Sequence, residues 1–279
     1  MPIPTEAIGS IPRPAQLLAA ISDHAAARIS HAQLHAAEEA ALRDTLARLE
    51  ETGSPVISDG EQTKPSFVTY PLAGLTNLAP DGPIITFADG HTRQLPRLAS
   101  GPFRYAAHAA SYLKRARAYT QRPLKQAVIS ASALSLLYPQ EGLPQYSREV
   151  FLGDLANETA RDIRECLQEG AHCVQLDFTE GRLALKLDPS GRLLRSFIDL
   201  NNHVLARFTD SERRRIGVHT CPGGDRDSTH SANVDYAKLL PLLFQLNVGQ
   251  FYIQMASEAD RRGAFKSIRA SLEPGTLLF

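Results

Sequence analysis

The sequence predicts an α/β protein, a barrel of the TIM (β/α)8 type, because apolar strand-like runs alternate with helical periods along the chain. The length agrees, since the chain has 279 residues and one such barrel takes about 250. Hydrophobic residues make up 43% of the sequence, which is enough for a large core and excludes the disordered class. Without an internal repeat or a linker, we expect a single domain over residues 1–279.

The composition also restricts the partners. Lysine plus arginine and aspartate plus glutamate both number 30, so net charge gives no reason to expect nucleic acid or an anionic membrane. No apolar run approaches the ~20 residues of a membrane span, and residues 1–14 lack the apolar centre of a signal peptide. Three cysteines fit a reducing compartment better than a disulfide framework. We expect a cytoplasmic protein with small-molecule substrates; its oligomeric state stays open.

Each expected strand is a short apolar run bounded by proline, glycine or polar residues. The strands are predicted at 5–11, 55–58, 125–130, 172–178, 216–219, 250–255 and 277–279. Each expected helix carries an apolar stripe at helical spacing; Ser30 can cap the first, and Gly53 and Gly170 end the first two. The helices between the strands are predicted at 30–51, 148–169, 193–208, 235–246 and 258–272.

One segment, 62–123, breaks this alternation and is too long for an ordinary loop between a strand and a helix. Within it, apolar runs at 84–87 and 92–95 flank Asp89-Gly90, which indicates a β-hairpin. Residues 106–120 are predicted to form a helix. We therefore expect an insertion after the second strand that folds over one mouth of the barrel.

The count gives six strand–helix units and the first residues of a seventh strand, whereas a closed barrel needs eight. The final Leu277-Leu278-Phe279 looks like the start of a buried strand rather than a solvated tail. We therefore expect an incomplete barrel, truncated at its C-terminus.

Four of the predicted strands end in polar side chains, and barrel enzymes place their chemistry at these strand ends. The clusters are Ser10, Asp59 with Glu61, Asp177 with Glu180, and His219 with Cys221. This convergence predicts one shared site. The plain alternative is that loops are polar anyway, and that the carboxylates form ion pairs with Arg13 and Lys64.

His219 and Cys221 lie two residues apart at a strand end, so their side chains point to the same face. An imidazole and a thiolate on one face can both coordinate a soft cation such as zinc. A zinc site, however, needs at least three protein ligands. The other donors are weaker: Cys166 is expected to pack inside a helix and Cys173 to lie at the opposite rim. His230 and Gln254 remain possible recruits.

Four motifs, taken in order, resemble those of the catalytic domain of cobalamin-independent methionine synthase. They are Ile8-Gly-Ser-Ile-Pro-Arg-Pro14, Asp59-Gly-Glu61, Gln175-Leu-Asp-Phe-Thr-Glu-Gly181 and Val218-His-Thr-Cys221. The longer string Asp59-Gly-Glu-Gln-Thr-Lys-Pro-Ser-Phe67 resembles the short, single-barrel branch of that family. The resemblance covers essentially the whole chain and implies a zinc enzyme that methylates homocysteine from 5-methyltetrahydrofolate, giving methionine.

The resemblance also implies roles for individual residues. His219 and Cys221 match zinc ligands, and Ser10, Glu61 and Asp177 match the groups that hold the amino acid part of homocysteine. Asp177 and Glu180 are expected to carry the acid chemistry, since the leaving folate nitrogen must gain a proton. The chain departs from the family at two ligands. Gln254 stands where the family has a glutamate, and an Asp-Cys-Gly segment in the eighth strand is not reached.

Three alternatives stay open from the sequence. The chain could act on a different thiol, such as coenzyme M or a secondary metabolite. It could be a metal-free relative of uroporphyrinogen decarboxylase, which shares the barrel and needs no His-x-Cys pair. It could also be a catalytically inactive truncated barrel.

Overall fold

A parallel sheet forms the centre of the computed structural model, which describes residues 6–279. The strands of the described part are β1 (Leu78–Ala79), β2 (Ile84–Thr86), β3 (Thr92–Gln94), β4 (Arg97–Leu98), β5 (Lys125–Ile129), β6 (Cys173–Asp177), β7 (Ile216–Thr220), β8 (Gly224–Asp225), β9 (Ser228–Thr229), β10 (Gln250–Ile253) and β11 (Leu277–Leu278). The central sheet has the order β11-β10-β7-β6-β5, and all of its pairs are parallel.

Two more segments continue this sheet beyond β5. Ile57 forms a parallel bridge with Leu124, and Val56 forms one with Glu6. Seven chain segments therefore lie side by side in chain order, as the sequence predicts. The first two are single bridges rather than regular strands, and Thr5, the first residue of the predicted strand at 5–11, lies outside the described residues.

The second segment is short because the backbone turns immediately after Asp59. Gly60 has φ 60° and Glu61 has φ 56°, values in the left-handed region that end an extended strand. A Cβ at residue 60 would also lie 2.7 Å from Thr45 Cγ2. The turn therefore depends on glycine, and it delivers Glu61 directly to the end of the sheet.

The sheet is curved, as is shown by side chains of distant strands that meet on its inner face. Tyr252 on β10 donates from its hydroxyl to Glu6 Oε2 over 3.0 Å, and Lys125 Nζ on β5 lies 3.3 Å from the same oxygen. Barrel closure is not seen: within residues 6–279, β11 pairs with β10 alone. The fold is thus α/β with a curved parallel sheet.

The helices lie outside this sheet. They are α1 (Ala15–Ala25), α2 (His31–Glu51), α3 (Ala110–Arg117), α4 (Ala131–Ser135), α5 (Arg148–Gln168), α6 (Glu180–Leu187), α7 (Arg192–Leu205), α8 (Asp210–Arg213), α9 (Tyr236–Leu243) and α10 (Arg261–Ser271). The sequence analysis missed α1, α4, α6 and α8. Three of these have eight residues or fewer, too short to show a clear helical period. None of the helices between residues 6 and 279 has the length and apolar character needed to cross a bilayer.

The expectation that the last strand is buried was wrong. Leu277 is 53% exposed and Leu278 36%. They form β11 in parallel with β10, at register Gln250 to Leu277. Because β11 is an edge strand paired on one side, its apolar side chains remain open to solvent.

The insertion contains the hairpin that the sequence predicts, with β2 antiparallel to β3. Its start is fixed to α5 by a buried carboxylate: the Tyr70 hydroxyl donates to Asp162 Oδ2, and Ala109 N donates to Asp162 Oδ1 over 2.6 Å. Asp162 therefore joins two separate parts of the insertion to the outer helix layer.

We expect Tyr70→Phe to lower the free energy of unfolding by about 1–3 kcal/mol, because it leaves a buried carboxylate oxygen without its donor. Urea denaturation measures this change. Tyr112→Phe is the matched control, since Tyr112 packs edge-on against the Tyr70 ring and its hydroxyl has no hydrogen-bond partner in the described part of the chain. Equal effects of the two substitutions would contradict the role of Asp162.

Candidate functional site

A cleft of about 630 Å³ opens at the carboxyl ends of the central strands. It brings together residues from all four predicted strand-end clusters, together with residues of the insertion. The wall includes Ser10, Arg13, Glu61, Phe67, Arg93, Leu95, Gln175, Asp177, Thr179, His219, Cys221 and Asp225. Five of the six predicted site residues therefore lie on one surface; the sixth, Glu180, does not.

The parallel register explains why the clusters meet. Asp177 at the end of β6 is the Cα partner of His219 on β7, and Phe178 N donates to His219 O over 2.9 Å. Cys221 follows β7 by one residue, two positions beyond His219. The expected same-face placement agrees with the structure, in which both side chains line the cleft.

Glu61 is held as a carboxylate by a buried cation. Lys64 Nζ lies 3.0 Å from Glu61 Oε1 and also donates to Ala127 O over 2.7 Å. The Ser10 hydroxyl donates to the other oxygen of Glu61. Burial alone would raise the pKa of Glu61, but the charge of Lys64 and the Ser10 hydrogen bond outweigh it and lower that pKa. The sequence analysis gave an ion pair with Arg13 or Lys64 as the alternative role of the carboxylates. The pair of Glu61 with Lys64 is present, and Glu61 also lines the cleft.

Asp177 is in a different electrostatic state. Gln175 Nε2 donates to Asp177 Oδ1 over 2.8 Å. Burial, and then the negative charge of Glu61, raise the pKa of Asp177 to about 7, although the Gln175 hydrogen bond works in the other direction. A carboxyl with this pKa exchanges its proton near neutral pH. Besides Asp225, the cleft therefore has Glu61 as a fixed carboxylate and Asp177 as a titrating carboxyl.

Glu180 begins α6 and is not among the residues that line the main cleft. Ser130 Oγ donates to Glu180 Oε1 over 2.6 Å, and the Ser132 hydroxyl donates to the same oxygen. Burial raises the pKa of Glu180 to about 7 against these two hydrogen bonds. Its Oε2 has no partner among residues 6–279. Glu180 lines a side pocket of about 50 Å³.

The side pocket joins the cleft along a shared wall that includes Phe67, Arg93, Leu95 and Thr179. Most of its other lining is apolar. Glu180 therefore faces an apolar recess next to the cleft rather than the cleft itself.

His219 is neutral and lacks one partner. Burial, then the positive charge of Lys125, lower the pKa of His219 to about 4, and its Nδ1 has no hydrogen-bond partner in the described residues. Burial raises the pKa of the Cys221 thiol, although Gly223 N donates to its Sγ over 3.4 Å. A neutral imidazole and a sulfur facing the same cleft are the donors a soft metal takes.

The remaining donors are used elsewhere. Cys166 is fully buried in the apolar core, as predicted. Cys173 Sγ lies 3.7 Å from the Tyr252 hydroxyl, and Ser257 Oγ donates to Gln254 Oε1 over 2.8 Å. His230 packs over Gly223, where a Cβ would come 1.7 Å from His230 Nε2. Within residues 6–279, no three histidine, cysteine or acidic side chains are grouped so that they could hold a metal ion.

The sequence analysis expected the insertion to fold over one mouth of the barrel, but it did not identify Arg93 and Asp225 as residues of the cleft wall. Arg93 on β3 lies 2.8 Å from Asp225 on β8, and both line the cleft. The two residues are 132 positions apart, and no local pattern links them. The alternation within β3 could have indicated only that one face of the hairpin is covered.

The raised pKa of Asp177 predicts a pH dependence of stability. The unfolded carboxyl titrates near 3.9 and the folded one near 7, so the folded chain binds the extra proton between these values. Asp177 therefore lowers stability progressively as pH rises from about 4 to 7, with a limiting slope of about 1.4 kcal/mol per pH unit.

We expect Asp177→Asn to become more stable than wild type over that range, as measured by urea denaturation at several pH values. Asp199→Asn, an exposed position on α7, is the control and should show no such trend. A pH-independent difference between Asp177→Asn and wild type would contradict the raised pKa.

No protein-family model and no curated protein matches this sequence. Solved structures do match. One is a B12-independent methionine synthase from Shewanella sp. W3-18-1 in complex with selenomethionine, with 17% identity and a TM-score of 0.68 over 99% of this chain and 89% of that chain.

Another is a putative vitamin-B12 independent methionine synthase from Listeria monocytogenes, with 18% identity and a TM-score of 0.69 over 97% of this chain and 87% of that one. The chain therefore has the fold of these methionine synthase structures over nearly its whole length.

Proposed function

We propose that this protein transfers a methyl group from 5-methyltetrahydrofolate, in its polyglutamate form, to the thiol of homocysteine, giving methionine. The observation that carries the proposal is the single cleft that unites Ser10, Glu61, Asp177, His219 and Cys221. The matched fold supports it, and one of the matched structures holds selenomethionine. With three free cysteines among the described residues, we place the protein in the cytoplasm.

The acidic half of the cleft suits the amino group of the substrate. Glu61 remains ionised beside Lys64. An ammonium group that binds next to Asp177 would lower the pKa of Asp177 and so favour its ionised form. The Ser10 hydroxyl bonds to Glu61 and so fixes the direction of that carboxylate. These three residues would orient the amino acid, with its sulfur towards His219 and Cys221.

Proton delivery falls to the two carboxyls with a pKa of about 7. The folate nitrogen is a poor leaving group and must be protonated. Asp177 lies in the cleft, whereas Glu180 faces the side pocket. We therefore assign the acid role to Glu180 for a group that enters the side pocket, and to Asp177 only for a group in the cleft that takes the proton before an ammonium group ionises Asp177.

Zinc, when bound, would deprotonate the substrate thiol. Within residues 6–279, His219 Nδ1 is a buried atom without a hydrogen-bond partner, and Cys221 is a soft donor that lines the same cleft, so these two residues fit part of a zinc site. They do not complete one, because three protein ligands are required and the described residues supply two. We propose His219 and Cys221 as zinc ligands and assign no third.

A second candidate is a different zinc-dependent thiol alkyltransferase. The observation that favours it is the insertion hairpin, which places Arg93 and Leu95 on the cleft wall and so makes part of the substrate surface.

We expect wild-type protein to bind methionine in a calorimetric titration, and Asp177→Asn to bind it about 10- to 100-fold more weakly. The reason is the loss of a hydrogen bond to a charged group, worth about 1.5–3 kcal/mol. Asp199→Asn is the matched control. Unchanged affinity in Asp177→Asn would remove Asp177 from the substrate pocket, and no methyl transfer to homocysteine by wild type would refute the reaction.

The zinc proposal is tested through Cys221 without an activity assay. Cys166 and Cys173 are buried and Cys221 is half-buried, so a thiol reagent should modify Cys221 first. We expect added zinc to slow this modification in wild type and to have little effect in His219→Ala, measured by mass spectrometry. Equal protection in both variants would show that His219 does not bind the ion.

A further inference from the structure

The hairpin of β2 and β3 is tied to the loop that follows Cys221. Ala88 N donates to Thr229 O over 2.9 Å, and Asp89 N donates to Ser228 Oγ over 3.2 Å. His91 Nε2 lies 3.3 Å from Asp225 Oδ2. These contacts fix the hairpin against β8 and β9, so Arg93 has a defined position over the cleft.

Two arginines line the cleft, and they are in different states. Arg13 Nη2 donates to the backbone oxygens of Glu61 (3.3 Å) and Lys64 (2.5 Å), so it serves the turn that carries Glu61, and its Nε, which has no hydrogen-bond partner among residues 6–279, is buried away from the cleft solvent. Arg93 has one ion pair within the described residues, with Asp225 Oδ1 at 2.8 Å, and its side chain is 39% exposed. Since a guanidinium carries five N–H donors, Arg93 retains donors for a ligand.

Arg93 lies where the main cleft and the side pocket meet, because it lines both of them. The acidic side chains Glu61 and Asp177 line the cleft as well. The cleft thus presents carboxylates for a cationic group and a guanidinium for an anionic one, so its charges are complementary to those of a zwitterionic ligand.

We propose that Arg93, held in place by Asp225, is the residue that selects ligands carrying a carboxylate. This inference rests on the proposed function, since the ligand is taken to be an amino acid or the glutamate-bearing methyl donor. Arginine suits the role because its planar fork binds a carboxylate in bidentate fashion while another donor keeps Asp225.

The experiment measures carboxylate preference rather than affinity alone. Methionine is titrated against methioninamide, and folic acid against its glutamate dimethyl ester, into wild type and Arg93→Gln. We expect wild type to favour the carboxylate form by about tenfold or more in at least one pair, and Arg93→Gln to reduce that ratio to near one. The affected pair identifies whether the carboxylate belongs to the amino acid or to the donor.

Two further variants separate binding from a structural effect. Arg97→Gln removes a neighbouring arginine that pairs with Asp81 over 3.0 Å and should keep the wild-type ratio. Asp225→Asn removes the tether but keeps the guanidinium, so it should retain most of the preference. A wild-type ratio in Arg93→Gln, or equal losses in Arg93→Gln and Asp225→Asn, overturns the inference for Arg93. Failure of wild type to bind methionine counts against the proposed function alone, because the folic acid pair still tests Arg93; no preference of wild type in either pair overturns the inference for Arg93.

Discussion

The buried ion pair between Lys64 and Glu61 determines how the rest of the site is arranged. Both side chains are almost fully buried, where an unpaired charge would cost several kcal/mol. Burial alone would lower the pKa of Lys64, but Glu61 and Asp59 outweigh it and raise that pKa, so the cation persists. The fixed negative charge of Glu61 then contributes to the raised pKa of Asp177. Burial raises the pKa of Asp177 most, Glu61 raises it further and Lys64 lowers it, so the pair adjusts the protonation of the neighbouring carboxyl and does not set it alone.

The same pair explains the local backbone. Lys64 follows Glu61 by three residues, and the turn at Gly60 and Glu61 places both in the interior. Arg13 stabilises the turn through the carbonyl oxygens of Glu61 and Lys64. Glu61 and Lys64 therefore depend on a turn in one segment and on a guanidinium from another, whereas Asp177 and His219 are positioned by the regular strands β6 and β7.

Much of this arrangement could be predicted from sequence. The parallel order of segments, the hairpin at Asp89-Gly90 and the meeting of Ser10, Glu61, Asp177, His219 and Cys221 all follow from local periodicity and from the rule that parallel strands end at one edge. The short helices α4, α6 and α8 and the position of Glu180 could not be predicted, because they depend on side-chain contacts such as those with Ser130 and Ser132. The exposure of β11 depends on which other elements cover it. The apolar sequence of β11 alone does not indicate this. The contact of Arg93 with Asp225 depends on tertiary packing, so no local signal marks it.

The tether between the hairpin and the loop after Cys221 has a consequence for the order of folding. Asp89 and Ser228 are separated by 139 residues along the chain, so their contact closes a very long loop and requires β5, β6 and β7 to be in place beforehand. The central strands and their helices can assemble from nearer contacts. The hairpin of β2 and β3 is therefore expected to become ordered last. By the same logic, it is expected to open first when the protein begins to unfold.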